Sequence, residues 1–162
     1  MAHLHLSVAT LRIVSDDLVP ERITKLLGCE PTDSQTKGQI IRGHKTGRER
    51  VTKIGMWRLK ATDCEPEDLD KQVAELLGKL TQDLSIWASL SKQFAIDLFC
   101  GLFMEESNEG VEVSAETLMA LGQRGIVLGL DIYGPIQEIK GDDLCPCGSG
   151  KAYDECCTPR TK

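Results

Sequence analysis

Residues 56–80 decide how the chain is read. They run Met56-Trp57-Arg58-Leu59-Lys60-Ala61, then Thr62-Asp63-Cys64-Glu65, then Pro66-Glu67-Asp68-Leu69-Asp70-Lys71-Gln72-Val73-Ala74-Glu75-Leu76-Leu77-Gly78-Lys79-Leu80. The first run alternates in polarity, so Trp57, Leu59 and Ala61 share one face of a predicted strand. In the last run Leu69, Val73, Leu76, Leu77 and Leu80 recur at helical spacing. Pro66 and the acids Glu67, Asp68 and Asp70 stand where a helix start favours negative charge. A half-buried strand followed by an amphipathic helix is one unit of a layered α+β sandwich.

The same rhythm extends in both directions. Upstream, Leu4 to Val14 reads as a strand with Leu4, Leu6 and Val8 on one face and room for a bulge after them. Pro20 then opens a short helix carrying Val19, Ile23, Leu26 and Leu27, which Gly28 stops. Downstream, Asp83 to Ser91 is a short helix, and Phe94 to Phe103 is a central strand with Ile96, Leu98, Cys100 and Leu102 inward. Ser114 caps a helix bearing Leu118, Met119 and Leu121 that closes near Gly122 or Gly125, and Ile126 to Tyr133 forms the last strand. The expected fold is α+β, a mainly antiparallel sheet with helices on one face and a ferredoxin-like tendency.

Length and charge bound the function. A chain of 162 residues favours one domain with a short appendage. With 41% hydrophobic and 27% charged residues it can bury a core. A formal charge of −6 argues against a surface that grips nucleic acid or anionic membrane all over. No apolar run approaches a membrane span and residues 1–15 lack a signal-peptide core, so a cytoplasmic protein without membrane insertion is expected. The charge is unevenly spread. Between Lys37 and Lys53, Lys37, Arg42, Lys45, Arg48, Arg50 and Lys53 oppose Glu49 alone, a net +5 that leaves −11 for the remainder. This stretch reads as a glycine-bearing loop, with Arg42, Lys45, Arg48 and Arg50 as candidate phosphate contacts. It lacks an aromatic residue for base stacking, so a solvated loop or one docked on acidic surface is the competing reading.

The sharpest chemistry lies at the C-terminal end. Of seven cysteines, four fall between Cys145 and Cys157, in the order Cys145-Pro146-Cys147, eight residues, Cys156-Cys157. Four thiolates this close can surround one tetrahedral ion, and with no open position the site is structural. Gly148 and Gly150 can take positive φ and turn backbone N–H groups toward the sulfurs. The Lys151 ammonium offsets the excess negative charge of a four-thiolate zinc site, and Leu144 and Tyr153 are the apolar groups available to cover it. Ordering thirteen residues costs about 13–26 kcal/mol, and two apolar side chains return only about 3–6 kcal/mol. Zinc binding supplies about 10–16 kcal/mol, which predicts folding coupled to metal. Iron fits the same ligands, and a free thiol cluster or disulfides, including one between Cys156 and Cys157, are the alternatives to metal. Cys29, Cys64 and Cys100 are scattered and read as bystanders.

Residues Cys145 to Cys157, with their Gly148-Ser149-Gly150-Lys151 turn and Tyr153, closely resemble the SEC-C motif, a zinc module also found at the C-terminus of the preprotein translocase ATPase SecA. That resemblance implies that all four cysteines bind zinc and that the module engages a protein partner, in the translocase the chaperone SecB. Lys151 and Tyr153 would be outer-shell or partner-facing groups. The body resembles an uncharacterised bacterial family, domain of unknown function 4279. The residues that carry this are Ile23 to Gly28 with Pro31-Thr32, Gly38, Gly55-Met56-Trp57-Arg58-Leu59, Ser114-Ala115-Glu116 and Asp131-Ile132-Tyr133. The family lends no activity.

Other titratable groups read as structural. His3 and His5 share a strand face but lack a third metal ligand, Asp16-Asp17 precedes a helix, and Asp97 and Asp131 oppose the apolar sides of their strands. The expected organisation is a domain over 1–134, a linker over 135–144 and the zinc motif over 145–162. The functional expectation is a zinc-binding, non-enzymatic adaptor whose C-terminal module captures a chaperone, ribosome or translation-linked partner. An RNA- or ribosome-associated factor using residues 37–53 is the second expectation, and an enzyme with an unrecognised pocket the third. No small-molecule ligand is identified.

Overall fold

The computed structural model describes residues 3–43, 47–135, 142–145 and 147–156. Lys45 and Cys157, both singled out above, lie outside them. A long first strand, β1 (Leu6–Ser15), leads into α1 (Pro20–Leu27) and a short β2 (Asp33–Gln35). A ribbon of β3 (Ile40–Arg42) and β4 (Glu49–Val51) precedes β5 (Gly55–Lys60). Helices α2 (Leu69–Gly78) and α3 (Leu84–Gln93), then β6 (Ala95–Phe103), α4 (Ala115–Gln123) and β7 (Val127–Tyr133) complete the body.

The main sheet has the order β2-β5-β1-β6-β7. β1 is antiparallel to both β5 and β6, and β2 is antiparallel to β5. β5 and β6 are therefore parallel strands joined through α2 and α3 with β1 inserted between them, the split β-α-β arrangement of a ferredoxin-like sandwich. α4 and β7 extend it by one parallel crossover beside β6. The helices lie on one face. Ala9, Leu11 and Ile13 of β1, Trp57 and Leu59 of β5, and Ile96, Leu98, Cys100 and Leu102 of β6 meet Ile23, Leu27, Leu69, Val73, Leu76, Leu77, Trp87 and Leu90 there. The two buried tryptophans satisfy their N–H groups, Trp57 on Thr24 Oγ1 at 3.1 Å and Trp87 on the Thr81 carbonyl at 2.9 Å. Gly28 ends α1 at φ 76°, and the side chains of Asp68, Asp83 and Ser114 cap α2, α3 and α4.

Several expectations are corrected. β1 has no bulge: its pairing with β6 runs without a break from Leu6 to Val14, and the inward residues are Ser7, Ala9, Leu11 and Ile13, not the Leu6 and Val8 row. Both rows are apolar enough to serve, and the position of the helices decides between them. Leu118 and Met119 are exposed although they share α4 with buried Leu121. The basic stretch is not a plain loop, because Ile40 pairs with Val51, Ile41 with Arg50 and Arg42 with Glu49 in an antiparallel ribbon. Asp16 pairs with Lys37 instead of capping α1, whose N-cap Val19 makes no side-chain bond. Asp97, placed opposite the apolar side of its strand as expected, is not left free in solvent there but is partly covered and accepts two bonds from Arg12, at 2.8 and 2.6 Å.

The face opposite the helices covers itself. The Arg12 guanidinium lies 4.4 Å above the Phe99 ring while gripping Asp97, and Arg58 pairs with Asp33. The Phe103 and Tyr133 rings stack 4.7 Å apart beside Gly101, where a Cβ would meet Phe103 at 3.4 Å.

A candidate metal centre at the C-terminal end

Between Asp142 and Cys156 the chain closes a small loop upon itself. The Cys145 N–H donates to the Lys151 carbonyl at 2.8 Å, the Tyr153 N–H to the Asp143 carbonyl at 2.9 Å, and Leu144 bridges Ala152. Gly148 and Gly150 take φ of 79° and 72°, the left-handed conformation their position in a two-way turn requires. A final turn, α5 (Tyr153–Cys156), then carries Cys156 back toward Cys145 and Cys147.

The three described sulfurs, those of Cys145, Cys147 and Cys156, lie within 4.8 Å of one another, with Cys147 and Cys156 3.4 Å apart. A tetrahedron with metal–sulfur bonds of about 2.3 Å has edges of about 3.8 Å, so the arrangement fits a thiolate metal site. The surroundings favour the ionised form. The Ser149 hydroxyl, the Cys145 thiol, the Ser149 N–H and Cys156 all hydrogen-bond the Cys147 sulfur and lower its pKa from 9.0 to about 6. The Ser149 hydroxyl also lies 3.1 Å from the Cys156 sulfur. The predicted aiming of a turn N–H at sulfur is thus met at Ser149.

The cover differs from expectation. Leu144 is 76% exposed and shields nothing, whereas Cys145 is itself buried at 4%. Tyr153 is half-buried at the start of α5, and the Lys151 side chain is exposed while its carbonyl closes the loop. The six described cysteines are free thiols. Among the body thiols, Cys100 is pushed up to about 12, first by burial and then by Asp97, and is inert.

The other candidates disperse. His3 Nδ1 lies 3.1 Å from Glu67, and His5 lies 3.7 Å from both Glu65 and Glu105, so each histidine faces carboxylates. No other group of three metal-ligating side chains occurs among the described residues. Arg42, Arg48 and Arg50 sit on or beside the β3–β4 ribbon, exposed, with Arg42 Nε donating to the Gly47 carbonyl at 3.3 Å. A groove of about 390 Å³ separates α2 from α4, where Arg124 is committed to Gln82 and to the Ala120 carbonyl. No described helix is long and apolar enough to cross a membrane.

Fold and site together define a ferredoxin-like α+β body that carries a cysteine-rich C-terminal motif. Residues 4–135 match the family described as Domain of unknown function (DUF4279), and the chain belongs to that family. Residues 143–159 match the SEC-C motif. No curated protein and no solved structure matches the chain.

Proposed function

We propose that the protein is a zinc-binding, non-enzymatic adaptor whose C-terminal module captures a protein partner. The convergence of Cys145, Cys147 and Cys156 from both ends of one glycine-turned loop carries this reading, and Cys157, outside the described residues, is the fourth thiolate that the motif calls for. Bound zinc supplies shape and no reaction, because four thiolates leave no position for substrate. Thiolate softness and the tetrahedral spacing favour zinc over magnesium or calcium, and zinc over iron is the expectation for a closed structural loop. The surface so fixed presents Leu144 and Lys151, which suits a protein surface pairing an apolar contact with an acid. The partner would be a chaperone, ribosome or translation-linked protein, and the site of action the cytoplasm.

The test is native mass spectrometry with elemental analysis of the full chain purified without added metal, followed by affinity capture. One zinc per chain and loss of the captured partner in a Cys147→Ser, Cys156→Ser variant support the reading. A metal-free wild-type chain overturns it.

The ribbon supports a second reading, contact with RNA. Pairing of β3 with β4 gathers Arg42, Arg48 and Arg50 on one two-stranded projection, and this order favours a phosphate-binding element over a random solvated loop. Replacing these three arginines and Lys45 with Gln would reduce RNA binding and flatten its salt dependence. An unchanged salt slope would remove this reading.

A further inference from the structure

The main sheet has two edges of different construction. β2 is three residues long and bears the charged Asp33. β7 is seven residues long, and among the described residues nothing hydrogen-bonds to its outer side. It contains no Lys, Arg or Pro, the usual devices against edge-to-edge pairing, and five of its seven residues are apolar.

The bare surface continues onto α4. Thr117, Ala120 and Arg124 face α2 across the groove, and Leu121 points into the core. At about 100° per residue this turns Leu118 to the flank away from α2, beside β7. Leu118 is 50% exposed, Leu130 44% and Ile132 58%. The open face of the sheet is partly covered by its own side chains, with Arg12 over Phe99 and Tyr133 stacked on Phe103.

We propose that β7 is the seam of a two-fold homodimer, pairing antiparallel with β7 of a second copy so that one sheet runs through the axis. A strand can meet its own copy only where its side chains are self-complementary. Centred on Leu130, the pairing sets Leu130 against itself and Leu128 against Ile132 on the helix side. On the opposite side it sets Val127 against Tyr133 and Gly129 against Asp131. The strand's one charge thus meets glycine and not a second carboxylate. The two Leu118 flanks fall on the side of the Leu130 pair. A strand from another protein would require none of this symmetry, which is why the second copy is the occupant the sequence of β7 fits.

Sedimentation of the full chain across about 1–100 μM tests the proposal, with a species of twice the 17.8 kDa chain mass expected. Leu130→Lys and Leu130→Glu each place two like charges on the axis and should weaken self-association by at least about 100-fold, whereas an equimolar mixture restores the dimer. Hydrogen exchange of the wild-type chain needs no variant: the outer amides of 127–133 should become protected as concentration rises. A wild-type chain that stays monomeric at about 100 μM overturns the proposal, as does a dimer indifferent to both substitutions or concentration-independent exchange at 127–133. Chelation leaves the seam intact, so this result and the metal result fail separately.

Discussion

Removing the metal should unfold the C-terminal module and leave the body standing. Among the described residues and outside α5, four backbone bonds close the segment: Cys145 to Lys151, Gly148 to Cys145, Tyr153 to Asp143 and Glu155 to Ala152. At about 1 kcal/mol each they contribute about 4 kcal/mol, and Leu144, exposed as it is, adds almost nothing. Ordering residues 144–156 costs about 20 kcal/mol at the middle of the usual range, so about 16 kcal/mol must come from elsewhere. Zinc on four thiolates supplies about 10–16 kcal/mol, and no other contact described here approaches that size. Hydrogen-exchange mass spectrometry on the zinc-loaded chain, before and after a strong chelator, measures the effect. Amides of 142–156 should pass from protected to fully exchanged within seconds, while peptides covering β6 keep their protection, because Cys145 is not part of the body's core cluster. Undiminished protection of 142–156 after verified metal loss would refute the argument.

Three further outcomes follow from the same structure. In the metal-free chain the unfolded module deprives Cys147 of the bonds that lower its pKa to about 6, so its alkylation rate should rise through the ordinary thiol range at about pH 8.5, while Cys100, held at about 12 by burial, stays unmodified in the native body; mass mapping of the adducts checks both. Leu11→Ala, at a site packed by Val73, Leu76, Leu98, Leu121 and Ile126, should cost about 3–5 kcal/mol in urea unfolding, with the sheet retained. Asp70 gives a pH dependence of defined sign. Burial raises its pKa, but bonds from the Thr117 hydroxyl and the Ser114 N–H outweigh burial and hold the carboxyl below 3.8. Its stabilisation is therefore present above the unfolded value and is lost as pH falls through the folded one. Asp70→Asn should remove part of the stability lost on acidification below about pH 4, and equal acid titrations of the two proteins would contradict this.

The sequence signals that succeeded were local ones. The stripe from Leu69 to Leu80, the alternation from Ile96 to Leu102 and the stop at Gly28 each report a single element whose neighbours hardly matter. Failures arose where the partner decides. Leu6 and Val8 are as apolar as Leu11 and Ile13, so only the placement of α2 tells which row is buried. Leu118 and Met119 carry a core pattern, yet α4 sits at the end of the helix layer, where no described residue covers them. β2, β3 and β4 are three residues each, too short for a period to emerge, and charge masked the pairing of Ile40 with Val51. At the candidate metal centre the cysteine spacing anticipates the convergence of Cys145, Cys147 and Cys156, whereas the small loop buries Cys145 and leaves Leu144 outside, which apolarity alone does not reveal.

The placement of β1 sets a timetable for biosynthesis. This earliest strand becomes the middle of the sheet, yet both its neighbours arrive late, β5 ending at Lys60 and β6 beginning at Ala95. At about 5–20 residues per second the ribosome needs roughly 4–16 s to travel from the end of β1 to the start of β6. Until β5 has been made the nascent chain displays β1 with nothing to zip against, and one of its two edges stays unpaired until β6 follows. Vectorial folding from the amino terminus is therefore closed to this topology, and the body can settle only after translation has passed its hundredth residue.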